Sequence, residues 1–281
     1  MALETHEGGD PDGLVVFYQH GTPASGLLHP GYERSARELG IRLIGYDRAG
    51  YGGSPRQPGR RVVDAAADLD ALADELGVDR FATWGISGGG PHVLACAARC
   101  SDRLVAVACL AAPTPYGADG IDWFEGMGQE NLDEFGAALE SEEALRRYLE
   151  PHAAGLLAAS AEGLREELAT LLGDADRAAL TGELAEHLLD SSAHGLAGGF
   201  DGWLDDDLAF VAPWGFELDE ITRPVLLVHG RDDRFVPASH GDWLAERIPG
   251  VEARITDEDG HLTLMERRVH EAHAWLCARL A

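Results

Sequence analysis

Gly85-Ile86-Ser87-Gly88-Gly89 forms a G-x-S-x-G pattern where an apolar, β-rich run (Phe81 to Ile86) meets a helix-forming run beginning at Gly88. A serine held on a tight strand-to-helix turn has a strained backbone, and glycines around it remove side chains that would collide with the turn. The amides opening the following helix favour negative charge developing beside them. These residues suit nucleophilic attack by Ser87. Its hydroxyl is a weak nucleophile near neutral pH, so a base must take the proton and a carboxylate should orient that base. Among 12 histidines, His261 lies late in the chain, in Glu258-Asp259-Gly260-His261, after the last expected strand and before the closing helix. It is the candidate base. His20, His229 and His240 are its rivals, but His20 and His229 each precede a glycine at a strand end, where a turn-forming role is expected. His92, inside the helix after Ser87, is expected to be packed.

For the acid, the strand Pro224 to Gly230 runs into Arg231-Asp232-Asp233-Arg234-Phe235-Val236-Pro237. Two neighbouring carboxylates in a turn leave the choice open, since only one can point at the histidine. With these residues together, the chain resembles an α/β-hydrolase. In that family the acid commonly stands in a D-x-x-V-P pattern after this strand, which Asp233 fits with Asp232 as the fallback. The order Ser87, Asp233, His261 is also the order the resemblance implies. His20-Gly21-Thr22-Pro23 is similar to the H-G-x-P turn of many members, which implies an oxyanion hole built from backbone N–H groups. Gly88 supplies one, and because Pro23 has none, Thr22 supplies the other. Asp122-Trp123 and Gly202-Trp203-Leu204-Asp205-Asp206-Asp207 resemble segments of capped actinobacterial members of largely unassigned substrate. In such enzymes the cap covers the triad, so Trp123, Phe124, Trp203, Trp214 and Phe216 are candidate pocket residues, with docking of cap to core as the alternative. Asp205 to Asp207 could hold a metal or a substrate ammonium, but a solvated helix start is the expected reading.

The elements that must position these residues alternate. Strands are expected at Leu14 to His20, Ile41 to Asp47, Phe81 to Ile86, Leu104 to Ala112, Pro224 to Gly230 and Val251 to Ile255. Helices are expected near Tyr32 to Leu39, Val62 to Leu76, from Gly88, at Ala238 to Ile248 and at Leu262 to Leu280. Nearly continuous apolar runs such as Leu104 to Ala112 suit parallel strands covered on both faces. From Gln129 to Leu189 the chain is rich in Ala, Leu and Glu and shows no strand. The expected fold class is α/β, a mostly parallel sheet with flanking helices and an inserted helical cap. The core would comprise residues 1–112 and 224–281, and the cap 113–223.

Composition narrows the function. The 281 residues carry 49 acidic and 22 basic side chains, a formal charge of -27, and every basic residue is arginine. Without lysine there is no Schiff-base chemistry and no P-loop lysine. So negative a chain repels nucleic-acid phosphates and anionic membrane surfaces. No apolar stretch approaches the roughly 18 residues a membrane helix needs, and the N-terminus shows no secretory pattern, so a cytoplasmic protein is expected. Cys96, Cys100, Cys109 and Cys277 form no metal-ligand pattern, and no metal or cofactor is expected. The leading expectation is a cofactor-independent serine hydrolase acting on a neutral or cationic carboxylic ester or lactone. A prolyl-type aminopeptidase, with Asp205 to Asp207 or Glu125 receiving the substrate amine, is the alternative, as is a non-catalytic small-ligand-binding protein. The W-G-I-S-G-G elbow departs from the G-G-S-W-G-S pattern of the aminopeptidases. A carbon–carbon bond hydrolase would share the triad. The negative field should raise the His261 pKa and give a basic-side optimum that salt moves down.

Overall fold

The computed structural model describes residues 2–280. Seven strands form one sheet: β1 (Thr5–Gly9), β2 (Leu14–Gln19), β3 (Ile41–Tyr46), β4 (Phe81–Ile86), β5 (Leu104–Leu110), β6 (Val225–Gly230) and β7 (Glu252–Thr256). Their order is β1-β3-β2-β4-β5-β6-β7, with β1 antiparallel to β3 and every other pairing parallel. Side chains alternate between the faces as strand geometry requires. Phe17, Ile44, Phe81 and Leu227 enter one core, while Val16, Tyr18, Trp84 and Leu226 enter the other. Helices α1 (Pro30–Glu38), α2 (Asp64–Glu75) and α3 (Gly89–Arg99) are the crossovers of the first half. The strand order reverses between β2 and β4, and in open α/β sheets the crevice beyond the carboxyl ends at such a reversal is where ligands bind.

Six helices separate β5 from β6: α4 (Gln129–Glu140), α5 (Glu142–Ala158), α6 (Ala161–Glu167), α7 (Asp174–Ala179), α8 (Gly182–Gly195) and α9 (Asp201–Val211). The chain ends with α10 (Ala238–Arg247) before β7, then α11 (Leu262–Arg267) and α12 (Val269–Leu280). On one face α2, α3 and α10 contribute Leu69, Leu94 and Leu244 to the core; on the other, α1 and α12 contribute Tyr32 and Leu276. No helix among the described residues is long and apolar enough to cross a membrane.

Three differences from the sequence reading have local causes. Strand β1, Thr-His-Glu-Gly-Gly, has no apolar alternation because it is a partly exposed edge held by backbone pairing to β3. Strand β5 stops at Leu110 because Ala111 turns to φ 47°. The single closing helix is two, parted at Arg268, whose Nε donates to the buried Asp259 carboxylate at 2.6 Å.

Glycine is obligatory where α3 meets the sheet. A Cβ on Gly89 would lie 2.2 Å from the Gln19 carbonyl oxygen and 2.8 Å from that of His20. Gly89→Ala is therefore expected to push α3 from β2 and destabilise the fold by about 1–3 kcal/mol in urea denaturation. An unchanged midpoint would show that the strand end yields.

Candidate active site

Ser87 follows β4 and, among the described residues, is one of two non-glycine residues with positive φ, at 55°. Its N–H donates to the Leu110 carbonyl at 2.9 Å, tying the turn to the end of β5, and the Gly90 N–H donates back to the Ser87 carbonyl at 2.8 Å. The turn thus persists because its surroundings over-determine a strained residue. Ser87 and His261 line one cavity.

His261 follows β7, and its Nδ1–H donates to Asp233 Oδ2 at 2.7 Å. Asp233 Oδ1 accepts from the N–H groups of Phe235 and Val236 at 2.9 and 2.8 Å, so the carboxylate is fixed at both oxygens. Asp232 is turned away, against Gly173 of the helical block. Between the two aspartates left open by the sequence, the geometry puts Asp233 on the histidine. Burial works against charge on His261, but the charge and hydrogen bond of Asp233, with Asp176 beyond, raise its pKa above the ordinary imidazole value. The upward direction agrees with the expectation from net charge, yet its source is contact with buried carboxylates, which salt screens little.

The other histidines are committed elsewhere. His20 accepts from the Arg48 N–H at 3.2 Å and donates Nδ1–H to the Gly21 carbonyl at 2.7 Å; burial keeps it neutral. His229 donates to the Val236 carbonyl at 2.7 Å, bracing the Asp233 loop. His240 accepts from the Thr114 N–H at 3.1 Å and donates to the Trp123 carbonyl at 3.0 Å, with its pKa pushed down to about 4 by burial. His92 is packed, donating to the Gly88 carbonyl at 2.7 Å, and burial pushes it to about 3.

Thr22 and Gly88 face each other: a Cβ on Gly88 would meet Thr22 Oγ1 at 2.2 Å. Among the described residues neither backbone N–H donates a hydrogen bond, so both can donate to an oxygen beside Ser87. The Thr22-Pro23 peptide is cis. Arg48 holds the turn. Its guanidinium donates to the carbonyls of His20 and Gly21 and to Thr22 Oγ1, and also to Asp206 Oδ2 at 2.6 Å.

That contact corrects the reading of Asp205 to Asp207 as a solvated helix start. Helix α9 begins at Asp201, and all three aspartates are buried within it. Arg56 grips Asp205 through two bonds of 2.8 Å. Arg48 and Arg60 pair with Asp206, which also accepts from Thr22 Oγ1 at 2.7 Å and Tyr51 Oη at 2.9 Å. Burial opposes charge on Asp206, but the two arginines hold its pKa well below the carboxylate range. Asp207 makes no ion pair among the described residues. Burial and the neighbouring Glu134 raise Asp207 well above its ordinary value. Glu134 accepts from Trp203 Nε1 at 2.6 Å. Glu125 is exposed on the surface.

The aromatic candidates divide. Trp123 lines a cavity of about 60 Å³ together with Ser87, Gly88, Thr22, Glu134 and Asp207. Trp203 lines an adjoining space. Phe124 packs on Trp123 with ring centroids 5.2 Å apart and lines neither. Trp214 and Phe216 dock into the core beside α2, where the Trp214 carbonyl accepts from Val63 N–H at 3.0 Å, so they too are not pocket residues. A cavity of about 130 Å³ on the His261 side has an apolar lining, including Ile86, Leu164, Leu188 and Met265.

Two residues escaped the sequence reading. Phe235 stacks on His261 at 4.5 Å and 21° and lines both cavities; its place two residues after Asp233 was the available signal. Asp176, on α7, accepts from His261 N–H at 2.8 Å and Thr263 N–H at 2.9 Å, capping α11 and fixing the His261 backbone. Only the packing of α7 against α11 brings it there.

Removing charge from Asp206 leaves two buried guanidiniums short of a counter-ion. Asp206→Asn should cost about 3–5 kcal/mol, whereas Asp205→Asn, whose partner Arg56 is 27% exposed, should cost far less. Thermal and chemical melts of both variants check this, and equal losses would refute the distinction.

The comparisons with known proteins agree with the architecture. Residues 15–268 match the model of the alpha/beta hydrolase fold family. The chain is similar to a non-heme chloroperoxidase of Streptomyces lividans, 29% identical over 232 residues, covering 82% of this chain and 78% of that protein. It is similar also to a pimeloyl-[acyl-carrier protein] methyl ester esterase of Nitrosomonas europaea, 27% identical over 223 residues, covering 79% and 78%. Among solved structures, a thermophilic esterase from Thermogutta terrifontis superposes with a TM-score of 0.70 at 22% identity, over 99% of this chain and 94% of that one. A strand-to-helix serine turn, placed in this sheet order and matched over nearly the whole length, makes this chain a member of the α/β-hydrolase fold family.

Proposed function

We propose that the protein is a serine hydrolase that cleaves a small carboxylic ester or lactone through an acyl-enzyme on Ser87. One observation carries the reading: a strained serine shares a cavity with a histidine whose far nitrogen is hydrogen-bonded to a buried, doubly anchored aspartate. In acylation His261 Nε2 takes the Ser87 proton as Oγ bonds to the substrate carbonyl carbon. The carbonyl electron pair moves to oxygen, where the N–H groups of Thr22 and Gly88 receive it. Collapse expels the alcohol, which takes the proton from His261. Water then repeats the sequence and releases the acid. Because the histidine must protonate the leaving group, the apolar cavity beside His261 suits the alcohol, and the smaller one beside Gly88 suits a short acyl group. The esterases among its relatives and structural neighbours support this reading. The helices between β5 and β6 act as the cap, enclosing both cavities.

The base works as neutral imidazole, so kcat/KM falls as pH drops through the His261 pKa. Since that pKa is raised, the ascending limb should have its midpoint above about 6.5 and move little with salt. Asp233→Asn should lower the plateau by about 10⁴-fold and move the midpoint down. A wild-type midpoint at or below the ordinary imidazole value would refute the assignment.

A phosphonate ester should label Ser87, and Ser87→Ala should abolish labelling and reduce ester turnover by about 10⁴-fold or more. Binding of a small ligand with no label and no acyl product would show a non-catalytic scaffold. Proline arylamide turnover far above that of short esters would favour the aminopeptidase reading.

A second reading of the substrate is favoured by Asp207 and Glu134, two carboxyl groups in the wall of the cavity beside Ser87. A cationic group in the acyl portion would find its counter-charge there. Glu134→Gln should then raise KM for an amine-bearing ester about tenfold while leaving that of its neutral isostere unchanged. Equal effects on both esters would assign the pair a structural role.

A further inference from the structure

Away from Ser87, four side chains from three parts of the chain converge. His6 lies on β1, Asp47 follows β3, Glu4 precedes β1, and His194 is in the last turn of α8. One ligand atom from each lies within 4.8 Å of all the others. His194 Nε2 is 3.0 Å from Asp47 Oδ2 and 3.4 Å from Glu4 Oε2, and His6 Nε2 is 3.5 Å from the same Asp47 oxygen. An ion bound tetrahedrally at 2.0–2.1 Å has ligand atoms about 3.3–3.4 Å apart, which these three separations bracket.

The carboxylates are already oriented. Asp47 Oδ1 accepts the Gly26 N–H at 2.6 Å, leaving Oδ2 to face both imidazoles, and Glu4 Oε2 accepts the Gly53 N–H at 2.6 Å. Gly52, at φ +49°, leaves open the space before them: a Cβ there would sit 2.0 Å from Asp47 Oδ2 and 2.9 Å from His194 Nε2. Two neutral imidazoles and two carboxylates carry two negative charges, which one divalent ion balances. The chain's charge of -27 also concentrates cations at its surface.

We propose that Glu4, His6, Asp47 and His194 bind a divalent transition ion of the Zn²⁺ class, stapling α8 of the helical block to the sheet edge formed by β1 and β3. Imidazole with carboxylate in a four-donor set fits Zn²⁺ better than Mg²⁺ or Ca²⁺, which take oxygen ligands in larger number. The staple lies one residue from Arg48, so it stiffens the strand end that holds the Thr22 turn.

The test uses the untagged full chain, freed of metal by chelation and titrated with Co²⁺ and then Zn²⁺. One Co²⁺ per chain is expected, with the intense visible absorption of tetrahedral coordination, displaced by Zn²⁺ with a rise in melting temperature. His6→Asn and His194→Asn should each weaken binding by about 100-fold or more, whereas His261→Ala should retain it. Glu4→Gln, at a partly exposed position that should leave the fold intact, should weaken binding as well. A weak octahedral spectrum, no stoichiometric binding by the wild type, or unchanged binding in His194→Asn would overturn the proposal.

Discussion

The pairing of Arg48 with Asp206 joins the parts of the molecule that have to work together. One guanidinium, 4% exposed, binds two carbonyls and a hydroxyl of the turn that carries Thr22 and also a carboxylate on α9. Isolated burial of either charge would be prohibitive, so the turn and α9 stabilise each other or neither is placed. Arg60, Tyr51 and Thr22 complete the set around Asp206. The absence of lysine fits this use of cations: a planar fork can serve backbone and carboxylate at once, and a single ammonium on a flexible stem cannot.

His261 is held by a similar division of labour. Asp233 comes from the loop after β6, anchored by two amides of its own loop, while Asp176 comes from the helical block and holds the backbone of His261. The helical insertion therefore supplies cavity walls and also anchors both flanks of the site, the Thr22 turn through Asp206 and the His261 loop through Asp176. A further attachment runs from His194 of α8 to Asp47, just beyond β3.

Much of this was legible in order along the chain. Strands β2 to β6 announce themselves as apolar runs because both their faces are covered. Ser87 is legible because a positive φ on a serine demands glycine neighbours, and His261 because it stands alone in the last loop. Asp233 was distinguishable from Asp232 only through the family pattern. Strand β1 was invisible, since an edge held by backbone pairing places no demand on its side chains. The role of Asp205 to Asp207 was misread, since the arginines that neutralise Asp205 and Asp206 lie about 150 positions earlier.

The sequence by itself determined the class of fold, the serine turn and the order of the candidate triad, because these depend on short-range backbone sterics and on periodicity along one strand or helix. Tertiary structure decided which of two aspartates meets the histidine, which aromatics line the cavities and which are core, and that Asp176 and Asp206 anchor the site from the helical block. Those outcomes turn on charges and surfaces brought together from distant segments. Charge compensation and close packing act through space, and no local pattern records them.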